Sequence, residues 1–282
     1  MRQITAYFKP QTLAEAVTLY QQQTGKGKFI GGGTQVAAER DPTLTYLIDL
    51  SGCGLDAIQE QAGHLHLGAC VTLETLKESP LVRACAQGII ADVAAWTGSV
   101  HLRNSGTLGG SLVVQADIAI PLLTLDAQVV LMGEAERTVP LSAFYEGSKP
   151  IVRDGEVIKT IIIPPTFQNA AAHAMRLSRT RQDVSLVAVA AALLYEGNHC
   201  TQARLVAAPV ASGLTRIPAA EALLQGHPLT EPLIDQVADT VRQTIQPVED
   251  FRASAAYRRK IAAVYTKRML TACLQHSALS ST

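Results

Sequence analysis

The sequence predicts an α+β protein built from two small α/β units and a C-terminal unit of sheet and helices. Helical and strand-like periodicities alternate over the first 60 or so residues. A second set follows, closing on a β-branched strand, "EVIKTIII", that two prolines stop. From Gln168 onward the composition shifts toward alanine and helix formers.

The elements follow in order. In "PQTLAEAVTLYQQQ", Thr12 and Glu15 have capping-box spacing, and Leu13, Val17 and Tyr20 recur at helical intervals. "TGKGK" ends this helix, and "KFI" reads as a short buried strand running straight into "GGGT". "LTYLIDLSG" is a second strand and "HLHLGACVTL" a third, whose alternation puts His64 and His66 on one face. The first unit closes near residue 56. "SPLVRACAQGIIADVAAWTG" is helical in pattern and leads to a second glycine turn, "RNSGTLGGSL". "AQVVLM" and "DGEVIKTIIIPP" are strands, and the prolines mark a boundary, giving units at 1–56, 57–167 and 168–282. Beyond it, "VSLVAVAAALLYEGN" is a buried element before a turn. The final helix, Ser254 to Leu274, places Tyr257, Ile261, Val264 and Tyr265 on one stripe.

With 282 residues, 48% of them apolar and 17% charged, the chain can bury a sizeable core. Its 24 Lys and Arg balance 24 Asp and Glu, so no broad positive field invites a nucleic-acid partner. The cysteines (Cys53, Cys70, Cys85, Cys200, Cys273) are scattered, odd in number and free of CxxC pairs. They indicate inert thiols in a reducing compartment rather than a disulfide framework or a metal site. The longest apolar run, Leu186 to Tyr195, is about half a membrane span, and "MRQITAYFKP" lacks a signal-peptide core. The simplest expectation is a cytoplasmic protein without a membrane span.

Two glycine turns, each set against apolar sequence, ask what must approach the backbone so closely. Glycine admits positive φ and leaves the peptide plane open to a ligand or to another chain segment. Successive N–H groups in such a turn can form a nest for an anion, and a dinucleotide pyrophosphate suits one, with Thr34 and Thr107 adding hydroxyls. Neither turn has the G-x-G-x-x-G or the P-loop pattern, and glycine turns also serve hairpins and tight packing. No G-x-S-x-G or H-E-x-x-H motif occurs. His64 and His66 read as a surface pair rather than metal ligands. His101 either packs beside the second turn or touches a ligand. "YRRK" (Tyr257 to Lys260) reads as a solvated helix face or a docking surface.

The segments "FIGGGT", "LIDLSGCGLDAI", "LHLGACVTLETL", "RNSGTLGGSL", "IPLLTLDAQVVL" and "DFRASAAYRRKIAAVYTKR" occur in this order. Together they resemble the FAD-binding medium subunit of the molybdenum–flavin hydroxylases, the group of carbon monoxide dehydrogenase, xanthine dehydrogenase and aldehyde oxidoreductases. The resemblance spans nearly the whole chain. It implies two α/β domains with the PCMH-type FAD-binding fold, like that of vanillyl-alcohol oxidase, and a C-terminal domain with a three-stranded antiparallel sheet and helices.

The resemblance implies FAD as cofactor. Ile30, Gly31, Gly32, Gly33, Thr34 and Gln35 would form one pyrophosphate turn, with Phe29 also binding the cofactor, and Thr107, Leu108, Gly109, Gly110 and Ser111 the other. Leu108 would lie close to the isoalloxazine, and Ile158 would touch the ring system. Asp117 falls where the family binds the sugar–phosphate portion. Arg176 falls where many members carry a lysine. The chain would be an oxidoreductase subunit that carries no metal and no general acid or base. A molybdenum-cofactor subunit would oxidise the substrate, a [2Fe–2S] subunit would pass electrons here, and NAD+, oxygen or a quinone would receive them. Three departures stand out. Ser111 replaces a frequent asparagine, "VVQAD" replaces a longer proline-containing link to the Asp, and no Cys-rich [4Fe–4S] insert is present. The changed link motivates a rival reading, a flavin-free binding or assembly module that keeps the fold.

Overall fold

The computed structural model describes residues 4–39, 41–210 and 213–279. Strand β1 (Ala6–Phe8), helix α1 (Leu13–Gln22), β2 (Lys26–Ile30), α2 (Thr34–Ala38) and β3 (Leu44–Asp49) form the first layer pair. The three strands are parallel in the order β1-β3-β2, because each helix carries the chain back between strands. The Thr12 hydroxyl accepts from the Glu15 N–H at 3.1 Å, while the Glu15 carboxylate accepts from the Gln11 N–H at 2.8 Å. The cap is therefore a capping box displaced by one residue on its return arm. Leu13 and Ala16 pack on Tyr46 and Ile48 of the central strand.

The second sheet is antiparallel. It joins β4 (Ile58–Gln61), β5 (His64–Gly68), β6 (Gln128–Met132), β7 (Glu136–Pro140) and β10 (Val157–Ile163) in the order β4-β5-β10-β6-β7. A hairpin, β8 (Tyr145–Glu146) and β9 (Lys149–Pro150), interrupts it. Six short helices run between β5 and β6: α3 (Leu73–Glu78), α4 (Pro80–Ala84), α5 (Ile89–Ala94), α6 (Val100–Ser105), α7 (Leu108–Val113) and α8 (Ala119–Thr124); all but α6 share one core with β5, β6 and β10. The expected helix over 79–98 is broken, since Ala86 and Gln87 take left-handed φ values of 46° and 57°. Tertiary contacts hold this kink. The Ala86 N–H donates to the Gln168 carbonyl at 2.5 Å, and the Gln87 side-chain oxygen accepts from the Ala172 N–H at 3.3 Å.

The third sheet is antiparallel, β11 (Ala171–Leu177), β12 (Val187–Glu196), β13 (His199–Val210) and β14 (Gly213–Arg216), backed by α9 (Pro218–Leu224), α10 (Glu231–Thr244) and α11 (Ala255–Leu279). The expected three strands become four, because the chain returns beyond β13 through Gly213, at φ 91°, and pairs once more before α9. The apolar run "VAVAAALLY" is a strand buried on both sides. Ala188, Ala190 and Ala192 face the central core with Ile120 and Leu123 of α8. Val189, Ala191 and Leu193 face the core that holds Met269 and Leu270 of α11. Two-sided burial removes the polar alternation that would have named it a strand.

On α11 the buried stripe is Arg258, Ala262, Thr266, Leu270 and Cys273 rather than the tyrosine-bearing one. Ile261 and Tyr265 flank it, and Tyr257 is exposed. Ala262 and Thr266, small residues four apart, let the middle of the helix sit close on β11 and β12. "YRRK" is accordingly no solvated face throughout, since Arg258 is only 2% exposed.

Candidate functional site

At the end of β2 the chain turns through Gly31, Gly32 and Gly33 into α2, with Gly33 in the left-handed region at φ 68°. A Cβ on Gly31 would stand 2.7 Å from the Thr107 hydroxyl oxygen, and one on Gly32 would stand 1.4 Å from the Ser105 carbonyl oxygen. The missing side chains are thus what lets two turns some 70 residues apart in sequence meet. Among the described residues, the N–H groups of Gly32, Gly33 and Thr34 donate to no protein partner, and no side chain caps α2.

The second turn is built differently. Leu108 and Gly109 donate their N–H groups to the carbonyls of Val71 and Ala69, at 2.9 and 2.8 Å. The Thr107 hydroxyl caps α7 by accepting from the Gly110 N–H at 3.3 Å. The expected second amide nest is therefore absent, because its donors are spent on the segment that follows β5. What this turn presents is hydroxyl groups. The Thr107 proton stays free to donate, and Ser111 lines the same cavity. Arg103, 9% exposed, fastens the turn from behind through Glu74 at 2.6 Å and the carbonyls of Thr97 and Gly98.

Between the turns lies a cavity of about 140 Å³, walled by Phe29 to Gln35 on one side and by Thr107, Gly110 and Ser111 on the other. Phe29 stacks its ring on Tyr20 at 4.9 Å. Lys28 and Glu39 also border the cavity as a half-exposed ion pair, and the hydrogen bond from Lys28 holds the Glu39 carboxyl below its usual range. Neither residue was expected at the site, although Lys28 shares a strand face with Ile30 by the two-residue period of β2.

A second cavity, about 380 Å³, opens between α7, α8 and the third sheet, and Val114 borders both. Asp117 and Arg176 meet here at 3.5 Å, although they lie 59 residues apart. The Ser185 hydroxyl donates to the same Asp117 oxygen at 2.6 Å. Burial pushes the Asp117 carboxyl up, and Ser185 and Arg176 pull it back only in part. Arg176 lies over the Trp96 ring, 5.2 Å from its centroid, and donates to the carbonyls of Trp96, Arg181 and Asp183. Trp96, Gln115 and Ser185 belong to this wall, and no sequence pattern marks them.

The remaining expected residues lie elsewhere. Leu108 and Ile158 are buried in the central core, and Gly109 packs against Ala69; none of the three lines either cavity. His101 is exposed on α6, and His64 and His66 share a half-exposed face of β5.

The walls fit a dinucleotide. Unused amide donors and glycine surfaces that a Cβ would fill form one end. The other end is lined by apolar residues around a carboxylate and a guanidinium, and the Gln115 side-chain nitrogen there is buried without a partner among the described residues. No helix among the described residues is long and apolar enough to cross a membrane.

Comparison with known proteins agrees with this geometry. Residues 2–166 match the family described as the FAD binding domain in molybdopterin dehydrogenase, and residues 172–273 match the CO dehydrogenase flavoprotein C-terminal domain. The carbon monoxide dehydrogenase medium chain of Hydrogenophaga pseudoflava is 27% identical, over 94% of this chain and 96% of the relative. The nicotinate dehydrogenase FAD-subunit of Eubacterium barkeri is 26% identical over 90% of each. Among solved structures, carbon monoxide dehydrogenase from Hydrogenophaga pseudoflava superposes with a TM-score of 0.90 at 27% identity, covering 97% of this chain and 98% of that one. Quinoline 2-oxidoreductase from Pseudomonas putida gives 0.88 at 27% identity, covering 96% and 97%.

Proposed function

The chain belongs to the family of FAD-binding medium subunits of molybdenum hydroxylases, the carbon monoxide and xanthine dehydrogenase group, and from that premise we propose that it relays electrons between partner subunits and an acceptor. In this reading a molybdenum-cofactor subunit oxidises the substrate, a [2Fe–2S] subunit delivers the electrons, and NAD+, oxygen or a quinone receives them. The chain's cofactor is FAD, which when bound supplies reversible uptake of one or two electrons, while the protein supplies position and electrostatics.

The observation that carries the reading is the convergence of both glycine turns on one cavity. The N–H groups of Gly32, Gly33 and Thr34 would donate to the pyrophosphate, joined by the hydroxyls of Thr107 and Ser111. Phe29, Ile30, Gly31, Gln35 and Gly110 would shape the remaining wall. Asp117 would accept from cofactor hydroxyls, and Arg176 would hold a positive charge beside the ring system. Leu108, Gly109 and Ile158 would seat these elements from the core behind. The three sheets would mark three domains, 1–56, 57–167 and 168–282.

The test is direct. The purified protein should carry FAD with absorbance bands near roughly 370 and 450 nm, as oxidised flavin gives. A colourless protein that takes up no added FAD would instead support the assembly-module reading. Mixing the substrate-reduced complex with NAD+, oxygen or a quinone in turn identifies the acceptor by which one reoxidises it. Thr107→Ala should weaken FAD retention by about 1 kcal/mol, the worth of one hydrogen bond. It should also cost about 1 kcal/mol of stability through the lost cap on α7. Titration with FAD and thermal melts separate the two effects.

A further inference from the structure

The segment "DFRASAAYRR" near the C-terminus has no part in the cavity walls apart from Arg252. Three of its charged residues, Asp250, Arg252 and Arg258, nevertheless form one network. Asp250 accepts from the N–H of Arg252 at 2.9 Å and from the Arg252 guanidinium at 2.7 and 3.0 Å. The other Asp250 oxygen also accepts from Arg258 Nη2 at 2.7 Å. Arg258 Nη1 then donates to the Leu186 carbonyl at 2.6 Å, 72 residues away. Leu186 adjoins Ser185, whose hydroxyl is bound to Asp117. The Leu186 N–H closes the base of the 178–185 loop on the Leu177 carbonyl at 2.7 Å.

Packing α11 onto the sheet does not require this arrangement. Ala262, Thr266 and Leu270 already seat the helix. A guanidinium that is 2% exposed, with its Nε lacking a partner among the described residues, is a costly way to fill the same space. A methionine would fill the same space but could not donate to the Leu186 carbonyl. That bond fixes the strand end from which Ser185 reaches Asp117.

We propose that Asp250 and Arg258 are positioning residues for the cofactor cavity, holding Ser185 on Asp117 through the Leu186 carbonyl. The proposal rests on the reading that the Asp117–Arg176 cavity receives part of the FAD. Neither residue touches that cavity's contents. Asp250 orients Arg258, Arg258 fixes Leu186, and Ser185 keeps its hydroxyl on the Asp117 carboxylate that borders the cavity.

The test is FAD titration of the full chain stripped of cofactor, followed by fluorescence, with circular dichroism as the folding control. Ser185→Ala and Arg258→Met should each weaken FAD binding about tenfold. Because both act through one hydroxyl, the double variant should also lose about tenfold rather than about a hundredfold. Asp250→Asn, at a site where folding is less at risk, should lose severalfold, and Arg258→Lys should recover part of the loss. A purely structural role would lower the melting temperature without this non-additivity. Native FAD affinity in Asp250→Asn and Arg258→Met, or losses that simply multiply with Ser185→Ala, would overturn the proposal. Should Arg258→Met not fold, Asp250→Asn paired with Ser185→Ala decides by the same criterion. Failure of the underlying reading looks different: Asp117→Asn and Ser185→Ala would then leave FAD affinity untouched.

Discussion

Gly32→Val should abolish FAD retention while leaving the third sheet and its helices folded. A Cβ at this position would stand 1.4 Å from the Ser105 carbonyl oxygen and 2.5 Å from its carbon, a backbone obstacle that no rotamer change relieves. The turns must separate, and the cavity between them loses its shape. Overpacking of this kind costs about 1–3 kcal/mol in ordinary cores, and more where backbone blocks the way. Since the amide donors of Gly32 to Thr34 move with the turn, an affinity loss of at least about a hundredfold follows from losing two or more charge-assisted bonds. Gly33→Ala provides the contrast. Its φ of 68° disfavours a side chain, but the space around it is open. The expected penalty there is only the left-handed strain of about 1 kcal/mol. Flavin absorbance per chain after gel filtration distinguishes the two. Full occupancy in Gly32→Val would show that the cofactor does not use this cleft.

The backbone wall of the first cavity was legible in the sequence, and the side-chain wall of the second was not. A glycine run between a strand pattern and a threonine marks a place where side chains are excluded, and Gly31 to Thr34 do line the cavity. The expectation of positive φ held only for Gly33; at Gly32 it is the approach of Ser105 that requires glycine. The second turn borders the same cavity through Thr107, Gly110 and Ser111, but its amide partners, Ala69 and Val71, lie in a segment that local pattern does not connect to it. Asp117 and Arg176 were reachable only through family resemblance, being 59 residues apart with no shared periodicity. Ser185 and Trp96 carry no signal, because a serine in a loop and a tryptophan after a helix have many uses. The same blindness explains β12. A strand buried on two sides shows neither the period of a helix nor that of a half-exposed strand.

Arg176→Met should give the largest combined loss of stability and cofactor affinity among the side-chain variants. The native guanidinium, 9% exposed, supplies donors to three carbonyls and to Asp117, and covers the face of Trp96. Methionine replaces the stem and none of the donors. Removing one member of a buried pair costs about 3–5 kcal/mol in general. Asp117 keeps Ser185 and some solvent contact, so about 2–3 kcal/mol is expected here. Arg176→Lys retains the charge but not the planar fork, and should recover only part of this, since one ammonium cannot reach carbonyls at residues 96, 181 and 183 together. Burial already lifts the Asp117 carboxyl, and loss of the cation lifts it further. A carboxyl whose folded pKa is raised binds a proton more readily folded than unfolded. The stability of the variant therefore falls as pH rises above the unfolded value of about 4, and its deficit relative to the native protein narrows on acidification. Urea melts across that range measure the deficit, and FAD titration at neutral pH should show at least about a tenfold loss. A deficit that instead widened in acid would mean that the Asp117 charge is not what Arg176 balances. Unchanged FAD affinity would remove the second cavity from the cofactor site.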